Sequence, residues 1–339
     1  MSQGMRTLVV GSGPIGSYLA AALARAGADV TLHSLGPAFR QMAAAGQLRM
    51  AVAGDGAEPA TVALRCSLAP PPPGGWELLV LAVKAQDLGQ AAQMFKAHAR
   101  DAVTLLPQNG LPWWQFLGTG GPALRLRSVD PDGLAEDALP LDRIAGCVVT
   151  KGLSFRDAAT LVETRAASDL FTVGDVVPGT GAAVVPAQLL GQAGLPMKMS
   201  DDIRAEKWRK LLVNVAFNPL GAISHLGFGE VLDEPEGERL ARQLMQEAVA
   251  VARGLGVAAA IDTEAALARA RDSRSHKTSM LQDVEAGRRL EIGPIVGVLR
   301  ELAGHVGLAV PALDVVHACL RLIDHSLGKG PIRQLGVSP

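Results

Sequence analysis

Apolar and polar residues in the first part of the chain follow the pattern of strands alternating with helices. Short runs that are apolar at nearly every position occur at 7–10, 77–83 and 102–106, and a second strand is predicted at 29–33. Such runs are typical of strands buried on both faces, as in a parallel sheet. Further strands are predicted at 48–52, 61–66, 144–150, 161–164 and 170–173, the last closing the sheet, and helices at 14–25, 88–100 and 186–193. The pattern predicts an α/β domain.

From residue 201 onwards the apolar positions recur at helical spacing. Helices are predicted at 201–224, 234–255, 263–271, 298–305 and 312–325, and the Gly- and Pro-rich stretch 115–140 is predicted to be a loop. A chain of 339 residues is long enough for two domains, each with its own core. We therefore expect an α/β domain at 1–197, an all-helical domain at 198–330 and a tail at 331–339.

A glycine-rich turn follows the first predicted strand. Gly11, Gly13 and Gly16 have the spacing G-x-G-x-x-G, with Ser12, Pro14 and Ile15 between them, and the next helix would begin at Pro14. Gly11 would permit the tight turn, Gly13 a close approach of a pyrophosphate, and Gly16 close packing of helix on strand. The pyrophosphate would bind the N–H groups at the helix start. The strand–turn–helix setting predicts a dinucleotide site, and the alternative is a purely structural glycine turn.

The end of the second predicted strand carries neither signature that separates the two nicotinamide cofactors. An acidic residue there would bind the ribose hydroxyls, and an arginine would bind the 2′-phosphate. This chain has His33, Ser34 and Leu35 instead. Arg40 could reach a phosphate with help from Ser34, or it is a solvated surface residue.

Two further polar residues follow buried strands. Lys84 comes after the strand at 77–83, and Asn109 follows the strand at 102–106. The carboxyl ends of parallel strands face the ligand crevice of an open α/β sheet, so both side chains could bind cofactor or substrate. The alternatives are an exposed charge at Lys84 and an ordinary Asn-Gly turn at Asn109.

The predicted helix at 201–224 has an unusual polar content. Lys210, Asn214 and Asn218 recur every four residues within an apolar run, so they share one narrow stripe along the helix. Buried polar groups without partners are costly, and a ligand with a carboxylate and a carbonyl would supply partners. Pro219 is expected to kink the helix and free the carbonyl of Val215. Alternatively, the lysine reaches solvent and neighbouring loops bind the two amides.

The rest of the composition narrows the class of protein. The net charge is −1, with no basic tail, and the chain has no long uncharged apolar run and no signal-peptide pattern at its start. We therefore expect a cytoplasmic protein that binds neither nucleic acid nor membrane. Cys66, Cys147 and Cys319 are scattered, and no metal site is predicted.

Several motifs together resemble one known family. They are the glycine turn at 11–16, Lys84, Q-N-G at 108–110, W-R-K-L-x-V-N-x-x-x-N-P-L at 208–220, S-M-L-Q-D at 279–283 and E-I at 291–292. Their order and spacing are similar to those of the ketopantoate reductases (2-dehydropantoate 2-reductases) along essentially the whole chain. The resemblance implies a Rossmann domain followed by an all-helical domain, an architecture like that of 6-phosphogluconate dehydrogenase. It also implies an NADPH-dependent oxidoreductase of pantothenate biosynthesis, with its active site in the cleft between the domains.

The resemblance also implies a role for each matching residue. Lys210 would be the general acid that protonates the ketone oxygen, with Glu291 close by. Ser279 would bind the substrate carboxylate, while Asn109, Asn214 and Asn218 would hold the substrate and Lys210. Lys84 would lie where cofactor and substrate meet. From the pattern alone, Ser279 and Asp283 share a helix face, and Glu291 opens the next helix, where an acid suits the helix dipole.

Two positions depart from the family pattern. Leu35 stands where the family commonly has an arginine for the 2′-phosphate, and His276 stands where some members have a substrate-binding asparagine. NADPH is favoured over NADH, and ketopantoate is the default 2-oxo acid substrate. The alternatives are a different 2-oxo acid or an imine as substrate, and a dinucleotide-sensing protein without catalysis. A homodimer is plausible.

Overall fold

The computed structural model describes residues 5–118, 123–257, 262–272 and 277–328. The chain divides into two compact units, 1–206 and 207–339. The domain ranges 1–197 and 198–330 stay predictions, as does the tail at 331–339, which lies outside the described residues.

The first unit alternates strands with helices. Its strands are β1 (Arg6–Val10), β2 (Asp29–His33), β3 (Gln47–Val52), β4 (Ala60–Ala63), β5 (Arg65–Ser67), β6 (Leu78–Leu81), β7 (Val103–Leu106), β8 (Ile144–Thr150), β9 (Gly152–Asp157), β10 (Thr160–Thr164), β11 (Leu170–Asp175) and β12 (Met197–Met199). Its helices are α1 (Pro14–Arg25), α2 (Pro37–Ala45), α3 (Leu88–Met94), α4 (Lys96–Ala99), α5 (Leu134–Ala138) and α6 (Val184–Gln192). The predicted α/β character is confirmed.

Within the described residues, eight strands form the main sheet in the order β12-β11-β8-β7-β6-β1-β2-β5. Six successive strands of this order, β8-β7-β6-β1-β2-β5, are parallel to one another and follow the order of a dinucleotide-binding sheet. The strand order reverses between β1 and β6. Ligands of such sheets bind outside the carboxyl ends of the strands at this point.

Buried side chains cover both faces of the main sheet. One core joins α1 and α6 to the sheet, and the other joins α3, α4 and α5 to its opposite face. The continuous apolar runs of β1 and β6 follow from this double burial, because neither face of these strands meets water.

A second sheet is built from two distant parts of the chain, in the order β4-β3-β10-β9. The prediction of one strand at 61–66 was wrong, because β4 pairs with β3 whereas β5 pairs with β2 of the main sheet. β9 was not predicted. The expectation that β11 closes the main sheet was also wrong, since β12 pairs with its outer edge.

A buried ion cluster joins the two sheets of this unit. The ammonium of Lys151, whose side chain is 4% exposed, lies 2.6 Å from Asp169 Oδ2 and 3.2 Å from Glu163 Oε2. Burial alone would raise the pKa of Glu163, but the hydrogen bonds from Lys151 and Arg165 outweigh it and lower that pKa below its ordinary 4.5. Burial raises the pKa of the Tyr18 hydroxyl, and the Glu163 carboxylate raises it further.

Two predicted segments of the first unit differ in the structure. The helix expected at 88–100 is broken at Phe95, whose φ of −104° leaves the α range and whose ring packs against His33 and His98. The stretch 115–140 is not all loop, because α5 forms there. The carboxylate of Asp130 accepts the N–H groups of Ala135 and Glu136 and so caps this short helix.

The described part of the second unit contains no strand. Its helices are α7 (Ile203–Ser224), which begins in the first unit, α8 (Phe228–Asp233), α9 (Pro235–Gly254), α10 (Thr263–Asp272), α11 (Ser279–Glu285), α12 (Val298–His305) and α13 (Pro311–Leu327). A π-helical turn at Gly293–Gly297 precedes α12. The predicted helices are confirmed, and α8 was missed. None of the helices in the described residues is long and apolar enough to span a bilayer.

The first turn of α7 is tied to the first unit by Arg204. Its guanidinium donates to the carbonyl oxygens of Trp114, Gln115, Leu117 and Val176, the last two at 2.7 Å. Asp202 caps the helix by accepting the N–H of Ala205 at 3.0 Å, as the predicted acidic start requires. The segment after Asn109 is thereby held in place through its main chain.

Candidate active site

The glycine turn follows β1. Its first residue, Gly11, has a backbone conformation that only glycine adopts without strain. Gly11 has φ +106°, and its N–H donates to the carbonyl of His33 at 2.9 Å. A Cβ at Gly11 would lie 2.7 Å from the carbonyl oxygen of Ala82. The turn therefore passes very close to the end of β6.

Gly13 and Gly16 meet different surroundings. A Cβ at Gly16 would lie 2.0 Å from the carbonyl oxygen of Gly11, so this glycine is required for packing of α1 on the turn. A Cβ at Gly13 would have no described atom within 4 Å. The backbone at Gly13 is thus open to a ligand beside the first turn of α1, where Pro14 is the first residue and Ile15 packs on the core.

Two serine hydroxyls meet beside this turn. Ser12 Oγ donates to Ser34 Oγ at 2.9 Å, which joins the second residue of the turn to the end of β2. His33 is buried and bonds through Nδ1 to the carbonyl of Ser67, so its ring faces the protein interior. Leu35 is 60% exposed, and Arg40 is exposed on α2. Residues 33–35 therefore offer one hydroxyl group, that of Ser34, and no carboxylate at this edge.

Lys84 and Asn109 follow neighbouring parallel strands, β6 and β7, and both are half-buried. Gln108, which the sequence indicated only as part of a motif, joins the ends of these two strands. Its side-chain amide donates to the carbonyls of Leu81 at 2.5 Å and Val83 at 3.1 Å. The only signal in the sequence was its place in the Q-N-G motif.

The stripe on α7 forms as predicted from the spacing. Lys210 and Asn214 are half-buried, and Asn218 is 4% exposed. The side-chain Nδ2 atoms of Asn214 and Asn218 are shielded from solvent and have no acceptor in the part of the chain that the structure describes. Buried donors without acceptors are rare in folded proteins and are a reason to expect a missing partner.

A second lysine belongs to the same stripe. Lys207 is 3% exposed, which is unusual for a lysine side chain. A helix turns about 100° per residue, which places Lys207 between Asn214 and Asn218 around the helix axis. Lys207 was not predicted as a member of the stripe, although the same angular spacing places it there.

The start of α11 lies against the far end of the stripe. A Cβ at Gly221 would be 3.0 Å from the hydroxyl of Thr278, so the absence of a side chain there lets α11 approach α7. The Thr278 hydroxyl caps α11 by accepting the N–H of Leu281 at 3.1 Å. The next residue, Ser279, is exposed, whereas Asp283 is buried and bonds to Arg288 at 2.9 Å.

Glu291 is half-buried and directly precedes a helical stretch that starts at Ile292. Glu291 thus stands at the start of the next helix, as expected, and the first turn of that helix, at Gly293–Gly297, is π-helical. Such turns are frequent at functional sites. His276 lies outside the described residues. No cluster of potential metal ligands occurs in the described ranges.

The predicted residues thus form two sets. The glycine turn, Lys84 and Asn109 lie at the carboxyl ends of neighbouring strands in the first unit. The other set, in the second unit, is Lys210, Asn214, Asn218, Ser279 and Glu291. The first set fits a nucleotide, and the second offers ammonium, amide and hydroxyl donors suited to an oxo acid. Their individual roles stay predictions.

Comparison with known proteins finds models of the same family in both parts of the chain. Residues 7–117 match the family model "Ketopantoate reductase PanE/ApbA", and residues 202–324 match "Ketopantoate reductase PanE/ApbA C terminal". A 2-dehydropantoate 2-reductase of Mesorhizobium japonicum is 34% identical over 322 residues, covering 94% of this chain and 97% of that protein.

Solved structures show the same architecture. A putative ketopantoate reductase from Ralstonia solanacearum has a TM-score of 0.84 at 29% identity and covers 96% of this chain and 99% of that one. A D-mandelate dehydrogenase solved with NADH and anilino(oxo)acetate has a TM-score of 0.81 at 20% identity, with coverage of 96% and 100%, which shows likeness of fold alone. The predicted fold class is confirmed.

Proposed function

This chain belongs to the ketopantoate reductase family, and we propose that it reduces 2-dehydropantoate (ketopantoate) to pantoate with NADPH. The proposed substrate is the one named for the relative from Mesorhizobium japonicum. In this reaction the carbon of a 2-oxo group gains a hydride and its oxygen gains a proton. The products are a 2-hydroxy acid and the oxidised cofactor.

The residues of the first unit fit a nicotinamide dinucleotide. The open space beside Gly13 adjoins the N–H groups at the start of α1, a combination that suits a pyrophosphate. When bound, the cofactor would supply the hydride. Lys84 and Asn109, which follow the adjacent strands β6 and β7, would hold its nicotinamide end and the substrate.

The residues at the end of β2 favour NADPH over NADH in this proposal. NADH-specific sites of this fold hold the ribose hydroxyls with an acidic residue at the end of the second strand. Here His33, Ser34 and Leu35 occupy that position, so no carboxylate at 33–35 would repel a 2′-phosphate. The Ser34 hydroxyl and the exposed Arg40 would bind it.

The polar stripe of α7 is the observation that carries the catalytic proposal. Asn214 and Asn218 each carry a buried amide N–H₂ without an acceptor in the described residues, on the helix face that also carries Lys210. The carboxylate and carbonyl oxygens of a 2-oxo acid are acceptors of the required kind. Binding would satisfy donors that are otherwise unpaired, which favours the complex.

Lys210 would act as the general acid. Hydride addition to the carbonyl carbon leaves negative charge on the oxygen, and an ammonium next to it stabilises that charge and donates the proton. Solvent would then reprotonate the amine. Glu291 would keep Lys210 and the substrate in place, and the Ser279 hydroxyl would bind the substrate carboxylate.

The test is turnover of NADPH with ketopantoate by the wild-type protein and by the variant Lys210→Met. Removing the acid should lower kcat by roughly 10²- to 10⁴-fold, because general acid catalysis contributes that much. The dissociation constant of NADPH, measured by fluorescence titration, should stay unchanged. NADH in place of NADPH should give a lower kcat/KM with the wild-type protein.

The control is Lys198→Met, which removes an exposed lysine on the surface of the first unit and should leave kcat unchanged. Full turnover by Lys210→Met would remove the acid assignment. If the wild-type protein reduces another 2-oxo acid or an imine and leaves ketopantoate untouched, the substrate is wrong while the assignment of Lys210 can still be tested. A cytoplasmic location and a homodimer stay predictions.

A further inference from the structure

The segment that leads to Glu291 is held by bonds to two buried aspartates. It leaves α11 through Gly287, which has φ +64°, a left-handed conformation that suits glycine. The N–H of Arg288 then donates to the carbonyl of Asp283 at 2.8 Å, and its guanidinium bonds to the Asp283 carboxylate. The first part of the segment is thereby fixed to α11.

The second aspartate is Asp324, on α13. Its carboxylate is 6% exposed and accepts Nε of Arg289 at 3.0 and 2.9 Å, one bond to each oxygen. The same carboxylate accepts the main-chain N–H of Leu290 at 2.9 Å. One buried group therefore holds a side chain and the main chain of two successive residues, and the residue that follows them is Glu291.

The main chain on both sides of Glu291 is also fixed by packing. Leu290 and Ile292 are each 5% exposed, so the residues that flank Glu291 are anchored in the core of the unit. The π-helical turn begins one residue later, at Gly293. The main chain is therefore held on both sides of the residue that carries the Glu291 side chain.

We propose that Asp324 is a positioning residue for Glu291. This inference rests on the proposed function, in which Glu291 keeps the acid and the substrate in place. A misplacement of about 1 Å in a catalytic arrangement lowers a rate by roughly 10²-fold, so a bond that sets the position of the main chain next to Glu291 bears directly on kcat. Asp324 acts only through that segment.

The experiment compares Asp324→Asn with Asp314→Asn. Both aspartates lie on α13 and bond to an arginine, but Asp314 pairs with Arg300 at an exposed site. Asp324→Asn keeps one acceptor oxygen but removes the negative charge, so it weakens the bonds to both Arg289 and Leu290. We expect it to lower kcat with ketopantoate at least tenfold with little change in the dissociation constant of NADPH. Asp314→Asn should stay within twofold of the wild-type protein.

Repeating the substitution in a protein that also carries Glu291→Gln separates an effect on the position of Glu291 from a general loss of structure. In the presence of Glu291→Gln, Asp324→Asn should lower kcat by less than twofold further, because the group it positions is already removed. Its effect on Tm should be the same in both backgrounds. Arg289→Gln, which removes an exposed partner and leaves the bond to Leu290, gives a milder variant that should show a smaller loss of kcat with the same dependence on Glu291.

Equal losses of kcat in both backgrounds would reduce Asp324 to a structural residue and overturn the proposal, as would equal kcat values for Asp324→Asn and Asp314→Asn. Calorimetric titration of pantoate into the protein with NADP⁺ repeats the comparison without turnover. A wild-type protein that neither reduces ketopantoate nor binds pantoate would instead overturn the proposed function, and this inference with it.

Discussion

Gly13 and Gly16 belong to one turn, but a side chain would meet opposite surroundings at the two positions. The missing side chain of Gly16 is required by the protein, because a Cβ there would overlap the carbonyl oxygen of Gly11. The missing side chain of Gly13 leaves open space. Only at Gly13 does the missing side chain leave room that a ligand could occupy.

The variants Gly13→Ala and Gly16→Ala should therefore fail in different ways. Gly13 has φ −65° and ψ 173°, which an alanine adopts readily, so Gly13→Ala should fold with little change in Tm. Its dissociation constant for NADPH should rise at least tenfold, which corresponds to about 1.4 kcal/mol. Gly16→Ala should lower the free energy of unfolding by several kcal/mol, since the backbone has to move.

Thermal unfolding and fluorescence titration with NADPH on the same preparations provide the measurement. Each variant is the control for the other, because both add one methyl group to the same turn. Tight NADPH binding by Gly13→Ala would show that the open space is not used by the pyrophosphate.

At single residues, the sequence was informative where a residue type is required by geometry. The roles of Gly11 and Gly16 in packing follow from the motif and are seen in the contacts that a Cβ would make. Gln108 was not singled out, because its importance depends on neighbours distant in sequence, whereas Lys207 could have been found from the helical spacing of α7. The carbonyls that Gln108 bonds belong to residues about 25 positions earlier.

The helix α7 carries its polar stripe at a cost in stability. Two buried amide donors without acceptors in the described residues weaken the unliganded helix, since each such group costs about 1–3 kcal/mol. Groups of this kind are common where function conflicts with stability. The stripe should therefore oppose folding and favour binding.

The variant Asn218→Leu tests this conflict. Leucine has a similar size and needs no hydrogen bond, so the free energy of unfolding of the unliganded protein should equal or exceed that of the wild-type protein. The kcat/KM for ketopantoate should fall at least tenfold, because one donor to the substrate is gone. Thermal unfolding and steady-state kinetics measure the two effects.

Val213→Leu is the matched control, since it changes a half-exposed residue of α7 outside the stripe and should alter neither quantity much. A marked loss of stability in Asn218→Leu would mean that the amide already has a partner in the folded protein. Unchanged kcat/KM would remove Asn218 from the substrate site.

Among the elements, the sequence predicted those whose pattern is local. The strands at 29–33 and 144–150 and the helix of the polar stripe were placed closely. The break at Phe95 was missed because burial of that ring against two histidines is a tertiary effect. The short helices α5 and α8 were missed because one depends on the Asp130 cap and both are too short to show a period.

Across the first unit, the Lys151 cluster connects the main sheet to the smaller one. Lys151 follows β8, Glu163 lies on β10 and Asp169 precedes β11. Lys151→Met would leave two buried carboxylates without their ammonium. Breaking a buried ion pair in this way costs roughly 3–5 kcal/mol, so we expect a loss of that size in the free energy of unfolding at pH 7.

The loss of stability caused by Lys151→Met should depend on pH. The pKa of Glu163 is lowered in the folded state, so its ion pair stabilises the fold above the ordinary value of 4.5, and this contribution disappears as the pH falls through the lower folded pKa. The difference between wild type and Lys151→Met should therefore narrow below about pH 4.5. Urea unfolding at several pH values measures it.

Lys96→Met is the control for Lys151→Met. It removes a more exposed ion pair to Asp137 in the same unit and should change the free energy of unfolding by about 1 kcal/mol or less. A difference between Lys151→Met and wild type that stays constant as the pH falls would mean that the carboxylates do not depend on the ammonium.

The sheet topology of the first unit could be predicted only in part. The order of the central parallel strands follows from the glycine turn and the buried runs, because that setting belongs to a known arrangement. The second sheet could not be predicted, since the pairing of β3 with β10 joins segments far apart in sequence. No local period indicates which distant strand is the partner.

That pairing has a consequence for the newly made protein. During synthesis β3 leaves the ribosome about 110 residues before β10, which at typical elongation rates of roughly 5–20 residues per second means a wait of several seconds or more. β4 follows at once and covers one side of β3. The other side stays an open strand edge until translation delivers its partner, and over that interval the nascent chain is exposed to aggregation and to capture by chaperones.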